Sequence, residues 1–392
     1  MKFVQKEEME LFSKIFEENL VPQIYSGISY ANEFVDNPLF PAHIVDEHGI
    51  YSLRLVPGYF TLALNDKFRA KKITQFNWSY TIILDSVLHV DAYVKSRFGP
   101  KATNIRKSVN RLETCFDIKY TMYCGEIEPE TYLALMDSMK DMLERRFLQR
   151  EENHKELIRW SHLCETTHSR ILEKKASLFV IYNKDAPVVI SLNHHFDKIL
   201  FGAISAYDID YAKFGMGHIL IYKQLEWCLV NGFKIFEMGV GGMDYKRRWS
   251  NAVAHFEHHI VYPCDSAFLK CYAYLEFLKI RVKEYLKSKN VNTHYSKFKS
   301  LVLGPKKGQN RCDPPKITYH VEPLSKMPLM TDAHKVNLYV QPFAFLRKPV
   351  YDFLFTHAEH VNDVEVFELV KDSVYLIKGK STSQKIHLGK QP

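Results

Sequence analysis

Ile199-Leu-Phe-Gly-Ala-Ile-Ser205, Tyr211-Ala-Lys-Phe-Gly-Met-Gly-His218 and Gly241-Gly-Met-Asp-Tyr-Lys-Arg-Arg-Trp-Ser-Asn251 carry the strongest structural signal in the chain. Ile199 to Ser205 is a short apolar run of the kind that forms a buried strand. Gly215 and Gly217 let the backbone curl so that successive N–H groups face one concavity, which suits an anion. They also open a helix, Gly217 to Val230, whose first amides lack internal partners and whose dipole favours negative charge there. Asn231-Gly232 is a stop signal for that helix. Phe233 to Gly239 then returns as a second short strand, so two strands flank the anion-binding turn. A dinucleotide fingerprint is disfavoured because Leu220 stands where its third glycine belongs, and no Gly-Lys-Ser/Thr ending marks a P-loop.

Outward from this stretch, Ser177 to Tyr182 and Val188 to His195 are β-rich and joined by the polar turn Asn183-Lys-Asp-Ala-Pro187. Three antiparallel strands therefore lead into the glycine turn, and a further β-rich segment, Val253 to Tyr262, follows the Tyr245-Lys-Arg-Arg-Trp249 motif. With these features the chain resembles the GNAT acyltransferase superfamily, in its FemAB-type and CelD-like branch. The resemblance covers Ala176 to Tyr262. It extends more weakly to Tyr93–Glu113, which looks like the basic helix that this branch carries upstream. It implies an α+β fold: a GNAT-like mixed sheet with flanking helices, tandem GNAT-like halves and a small C-terminal β-rich appendage. The expected divisions are an N-terminal α/β domain over 1–150, the acyltransferase domain over 151–265, a basic amphipathic helix and linker over 266–311, and the appendage over 312–392.

The resemblance also implies a chemistry. An acyl thioester, expected to be acetyl-CoA, lies in the splay between neighbouring strands, and an acceptor amine attacks it directly. Ala203 and Ser205 line the donor from the strand, and Lys213, Phe214, Gly215, Met216, Gly217 and His218 form the turn that receives its pyrophosphate. Ala212 departs from the Gln or Arg usual three residues before the first glycine, which leaves Lys213 to supply charge. Lys246 is carried over as the group that stabilises the developing oxyanion and Tyr245 as the proton donor to the leaving thiolate. Glu237 is the candidate base, with Asp244 as its competitor, because a carboxylate in a mostly apolar strand is costly unless paired or used. By alternation it faces with Ile235 and away from Phe236 and Met238. The plain alternative is an ion pair with Arg247 or Arg248. Arg247, Arg248 and Trp249 are otherwise expected to pack the motif.

No metal site is expected. His255 and His259 are read as facing one way and His258 the other, His194 and His195 as facing apart, and there is no His-Glu-x-x-His or Cys-x-x-Cys. With 46% apolar and 14% aromatic residues, the 392-residue chain can bury sizeable cores. Seven scattered cysteines, a charged start and no long apolar run fit a cytoplasmic enzyme with reduced thiols.

Charge is unevenly placed: Lys270 to Arg311 holds eleven Lys or Arg against two Glu. Phe268, Cys271, Tyr272, Leu275, Leu278, Val282, Tyr285 and Leu286 fall at helical spacing. Segment 270–311 is thus a candidate for weak contact with an anionic membrane surface, against the plainer reading of a helix packed on the domain with a solvated basic face. No specific nucleic-acid partner is expected, since the basic residues lack aromatic interleaving. The expected acceptor is an amine-bearing small molecule, sugar or peptide. The rivals are a FemAB-type transferase using aminoacyl-tRNA and a non-catalytic binding or assembly protein of the same fold.

Overall fold

Alternation between short apolar runs and longer helical stretches generates a mixed fold, seen in a computed structural model that describes residues 5–40, 49–150, 155–241, 243–289, 318–324 and 333–389. The first half contains β1 (Gln5–Glu10), α1 (Leu11–Phe16), β2 (Tyr25–Tyr30), β3 (Glu33–Asp36), β4 (Gly49–Val56), β5 (Thr61–Leu64) and β6 (Phe68–Ile83). After these come α2 (Val90–Phe98), α3 (Ala102–Cys115), β7 (Ile118–Tyr123), α4 (Pro129–Arg150), α5 (Lys155–Ile158) and α6 (Trp160–Leu172). The meander is β8 (Ala176–Asn183), β9 (Ala186–Phe196) and β10 (Ile199–Tyr207), followed by α7 (Met216–Val230), β11 (Ile235–Val240), α8 (Asp244–Trp249), β12 (Ala252–Pro263) and α9 (Ala267–Ser288). The C-terminal part has β13 (Tyr319–Leu324), β14 (His334–Lys335), α10 (Arg347–His357), β15 (Glu365–Val370), β16 (Val374–Lys378) and β17 (Ser383–Leu388).

Nine strands form one sheet in the order β1-β4-β12-β6-β11-β10-β9-β8-β7. The halves expected on either side of residue 150 therefore share a sheet, because β6 pairs directly with β11 and β12. Apolar residues on alternate positions supply both faces. Leu200, Phe236 and Met238 face a core built with α2, α3 and α7, whereas Ile199 and Ile235 face the core that holds α1. Ile204 and Ala206 join a third cluster with α4 and α6. Under α7 a polar seam is fully paired: Gln224 donates to Asn193 Oδ1 at 2.8 Å and to Ser191 Oγ at 3.2 Å, and Asn193 donates to Ser177 Oγ at 3.3 Å.

Several expectations are corrected. The charged start is a strand before it is a helix: Gln5–Glu10 pairs in parallel with β4, and α1 begins at Leu11. The basic helix breaks at Gly99-Pro100 into α2 and α3, and Tyr245–Trp249 is itself helical. A register shift between His255 and Glu257 reverses the alternation, so His255 joins His258 on the side of α9. His259 is turned to Glu257, 2.7 Å away.

The stripe read along α9 is turned outward. Leu269, Ala273 and Ile280 pack on Ile50, Ile73 and Ile260 of the sheet, while Phe268, Leu275, Val282 and Tyr285 are exposed. The expected linker 303–309 and the rest of the basic segment beyond Lys289 lie outside the described residues.

The C-terminal part is more than a β-rich appendage. Its five strands, ordered β13-β17-β16-β15-β14, run to Leu388, and α10 was not foreseen. Tyr351 of α10 packs its ring 5.0 Å from Phe116 and 4.7 Å from Tyr211, centre to centre. Arg347 adds an ion pair to the buried Asp210 at 3.1 Å, which Arg145 also reaches. Tyr351 is only 2% exposed, so its removal opens a cavity in a shared core. Tyr351→Ala should lower the unfolding free energy of the whole chain by about 3–5 kcal/mol in urea denaturation. A loss well under that, confined to a separate transition, would show that the C-terminal part is independent.

Candidate active site

Parallel pairing of β10 with β11 lasts only from Ile199↔Ile235 to Phe201↔Glu237. At that level both strands lose register with their outer neighbours, β10 with β9 between Gly202 and Ile204, and β11 with β6 between Glu237 and Val240. Gly239 shows the local cause. Its φ is +72°, a conformation that favours glycine, and a Cβ there would stand 2.9 Å from Cε2 of Phe201. The Phe201 ring thus lies against bare backbone where the strands part. The bulge takes Ala203 out of register with β9, whereas Ser205 stays paired with Ser191 and is exposed.

Glu237 sits at the mouth of this splay and is fully buried. Its carboxylate accepts from Gly239 N–H at 2.7 Å and Thr81 Oγ1 at 2.9 Å, with Ser79 Oγ at 3.4 Å. Burial pushes its pKa from 4.5 up to about 7, against the opposing pull of these hydrogen bonds and of the Lys246 charge. The plain alternative of an ion pair with Arg247 or Arg248 is not what the structure shows: both arginines are exposed on α8, and the carboxylate is met by hydroxyls and backbone.

Lys246 reaches back from α8 to the end of β11, donating to Met238 O at 2.5 Å and Val240 O at 3.4 Å. Burial lowers its pKa, and Glu237 pulls it back up. An ammonium has three donors, so these carbonyls leave one uncommitted. Tyr245 and Asp244 precede it on the exposed side of α8.

The glycine turn is built as expected at its hinge, since Gly215 has φ +73° and caps α7. Its side chains have other duties. Phe214 and Met216 are buried core. Lys213 is held by α10, with Nζ donating to Asp352 O at 3.2 Å and Thr356 Oγ1 at 2.9 Å, so it points away from the role of phosphate ligand. Cationic charge comes instead from a place the local sequence does not advertise. His218 Nδ1 accepts from Trp249 Nε1 at 2.9 Å, and burial together with the nearby Arg248 lowers the His218 pKa. Arg97 of α2 donates to the carbonyls of Arg248 and Arg247 at 3.2 and 3.3 Å. The Trp249 anchor thereby brings the Tyr-Lys-Arg-Arg-Trp motif, Arg248 included, to the first turn of α7.

On the face that Glu237 shares with Phe201, a cavity of about 340 Å³ opens between α1, α6 and the strands β9 and β10. Phe201, Ala203 and Ile204 form its floor, Arg170 and His194 its inner wall, and Glu17 and Glu18 part of its rim. His194 Nδ1 and Arg170 Nε are buried there with no hydrogen-bond partner among the described residues. Burial and the Arg170 charge depress the His194 pKa to about 3, so the imidazole is neutral. Sequence reasoning set His194 aside as an ordinary strand histidine and did not single out Arg170. Alternation put His194 opposite His195, but only tertiary packing lays α6 over it. Among the described residues no group of three His, Cys, Asp or Glu comes together as a metal set.

Residues 100–247 match the family described as Acetyltransferase (GNAT) domain. No curated protein matches the chain. Among solved structures, L-PGS from Bacillus licheniformis is 12% identical with a TM-score of 0.36, over 62% of this chain and 73% of that one. FemX is 10% identical with a TM-score of 0.38, over 54% and 72%. A tandem GNAT protein from the clavulanic acid biosynthesis pathway is 10% identical with a TM-score of 0.28, over 56% and 65%. The matched residues span the glycine turn, Glu237, Tyr245 and Lys246, so the part of the chain that builds this site is the part similar to GNAT-type acetyltransferase domains.

Proposed function

We propose that the protein is an N-acyltransferase that passes an acyl group, in the simplest case acetyl, from a CoA thioester to an amine. The observation that carries this reading is the buried carboxylate of Glu237, tuned to about 7 at the point where β10 and β11 part. A general base works best when its pKa lies near the working pH, and burial has brought a glutamate to that range.

In this scheme the thioester enters the splay with its carbonyl near Ala203 and its pyrophosphate at the first turn of α7, where Arg97 and Arg248 add positive charge. The amine nitrogen attacks the carbonyl carbon and gives its proton to Glu237. Lys246 offers its remaining N–H to the oxygen as negative charge develops, while its other bonds hold the end of β11 in place. The C–S bond then breaks, and the thiolate takes a proton from Tyr245. The face-sharing cavity receives the acceptor. A half-buried guanidinium and an unpaired imidazole nitrogen on its inner wall suit a carboxylate, so the acceptor is an amine that also bears an anionic group.

Three outcomes follow. Gly217 has open space where a Cβ would stand, so Gly217→Asp fits and adds chiefly charge. In calorimetric titration it should abolish the micromolar binding of acetyl-CoA expected of the unaltered chain. Absence of acetyl-CoA binding to the unaltered chain would remove the CoA reading.

Glu237→Gln should cut the rate of CoA release by roughly 10²–10⁴. The unaltered enzyme must lose the Glu237 proton to act, so its rate should rise with pH through about 7. Because the folded-state pKa is raised, the folded chain binds a proton that the unfolded chain has released. Its stability relative to the Gln variant should therefore fall by about 3 kcal/mol as pH climbs from the ordinary carboxylate value to neutrality. A rate flat across that range would exclude Glu237 as the base.

In an acetyl-transfer screen of free amino acids and dipeptides against their decarboxylated or amidated counterparts, Arg170→Met should raise KM for the carboxylates roughly tenfold or more and spare the neutral amines. Equal effects on both sets would refute the anionic acceptor while leaving acyl transfer standing.

A further inference from the structure

Helix α9 is amphipathic in the inverted sense. Its two acidic residues face the protein: Glu276 accepts from Lys6 at 2.8 Å, and Glu284 accepts from the backbone of Phe76 at 2.8 Å and pairs with Lys287 at 2.6 Å. Much of its apolar surface faces solvent. Phe268 is 66% exposed, Leu275 60%, Leu278 37%, Val282 57%, Tyr285 61% and Leu286 43%. At 100° per residue these six positions fall within one arc, directly opposite Leu269, Ala273 and Ile280. Lys279 and Lys283 lie along one edge of the arc and Lys270 and Arg281 along the other, all four exposed. From Phe268 to Leu286 the stripe runs for about 27 Å.

Scattered exposed apolar residues need no explanation, but a contiguous stripe on a regular helix does. A protein partner of the same kind fits poorly. Two copies of α9 laid together would set cations against cations along both edges, whichever way the helices ran, and no exposed Asp or Glu on the helix is present to offset them. A surface that is apolar at its centre and negative around it satisfies both features at once.

We propose that α9 is an interfacial docking helix for an anionic lipid bilayer, lying in the plane of the membrane with the Phe268–Leu286 stripe among the acyl chains and its flanking Lys and Arg at the phosphates. Such a helix docks without spanning, consistent with the finding that no described helix is long and apolar enough to cross a membrane. The glutamates are the informative detail. In a solvated surface helix acidic side chains belong outside, whereas here both are turned inward and paired. The outer face is left with cations alone.

The test is flotation of the full chain with vesicles of phosphatidylcholine and with vesicles of phosphatidylcholine plus phosphatidylglycerol. The protein should float with the anionic vesicles only. Leu275→Asp/Val282→Asp should abolish flotation, and Lys279→Glu/Lys283→Glu should weaken it roughly tenfold or more. All four positions are exposed, so far-UV circular dichroism and acetyl-CoA titration of the variants should match the unaltered chain. Failure to float with anionic vesicles overturns the proposal, as does flotation that survives both double variants. Light scattering that shows a dimer dissolved by Leu275→Asp/Val282→Asp would assign the stripe to a second copy and equally overturn it.

Discussion

The site depends on keeping two neighbouring parallel strands apart. A parallel pair normally continues its ladder, because unpaired backbone groups are costly wherever water cannot reach them. Here the ladder stops after Phe201↔Glu237, since the positive φ of Gly239, the Phe201 ring pressed on it and the bulge at Ala203 all act at one level. Lys246 secures the divergent end of β11 by donating to the carbonyls of Met238 and Val240. The same carbonyls fix the position of the ammonium. Glu237 is the counterpart on the inner side: it is costly to bury, partly offset by Thr81 and the Gly239 amide, and useful because the offset is incomplete.

A second set of contacts ties the glycine turn to the end of the chain. Lys213, Phe214 and Tyr211 meet α10 through hydrogen bonds, core packing and tilted or edge-on ring contacts, and Arg347 shares Asp210 with Arg145. The turn that opens α7 is thus held by residues more than a hundred positions downstream. Backbone amides are best positioned when the side chains beside them are fixed elsewhere. That accounts for why the side chains around Gly215 serve packing rather than ligand contact. It also makes the C-terminal part a structural member of the site.

The local fold around the site was legible in the sequence because it rests on short-range constraints. Glycines at 215 and 217, the apolar runs at 199–205 and 235–238, and the spacing from Glu237 to Lys246 are local facts. A strand, a turn and a helix in that order leave few ways to fold. The alternation that set Glu237 with Ile235 held because β11 is straight up to that point. The same rule failed along β12, where one bulge between His255 and Glu257 changed which histidines share a face. Alternation carries no information about an inserted residue until the partner strand is known.

What the sequence determined by itself, then, was the meander and the glycine-capped helix, both set by backbone preference and residue type within about fifty-five positions. Tertiary structure alone decided the rest. It merged the two halves into one sheet, turned the α9 stripe outward by choosing Leu269, Ala273 and Ile280 as the contact face, and brought Arg97 to Arg248 and Arg170 to His194. The physical reason is the same throughout: periodicity shows which residues lie together on an element, but which face is covered, and which distant charge meets which, depends on the surface that element is packed against.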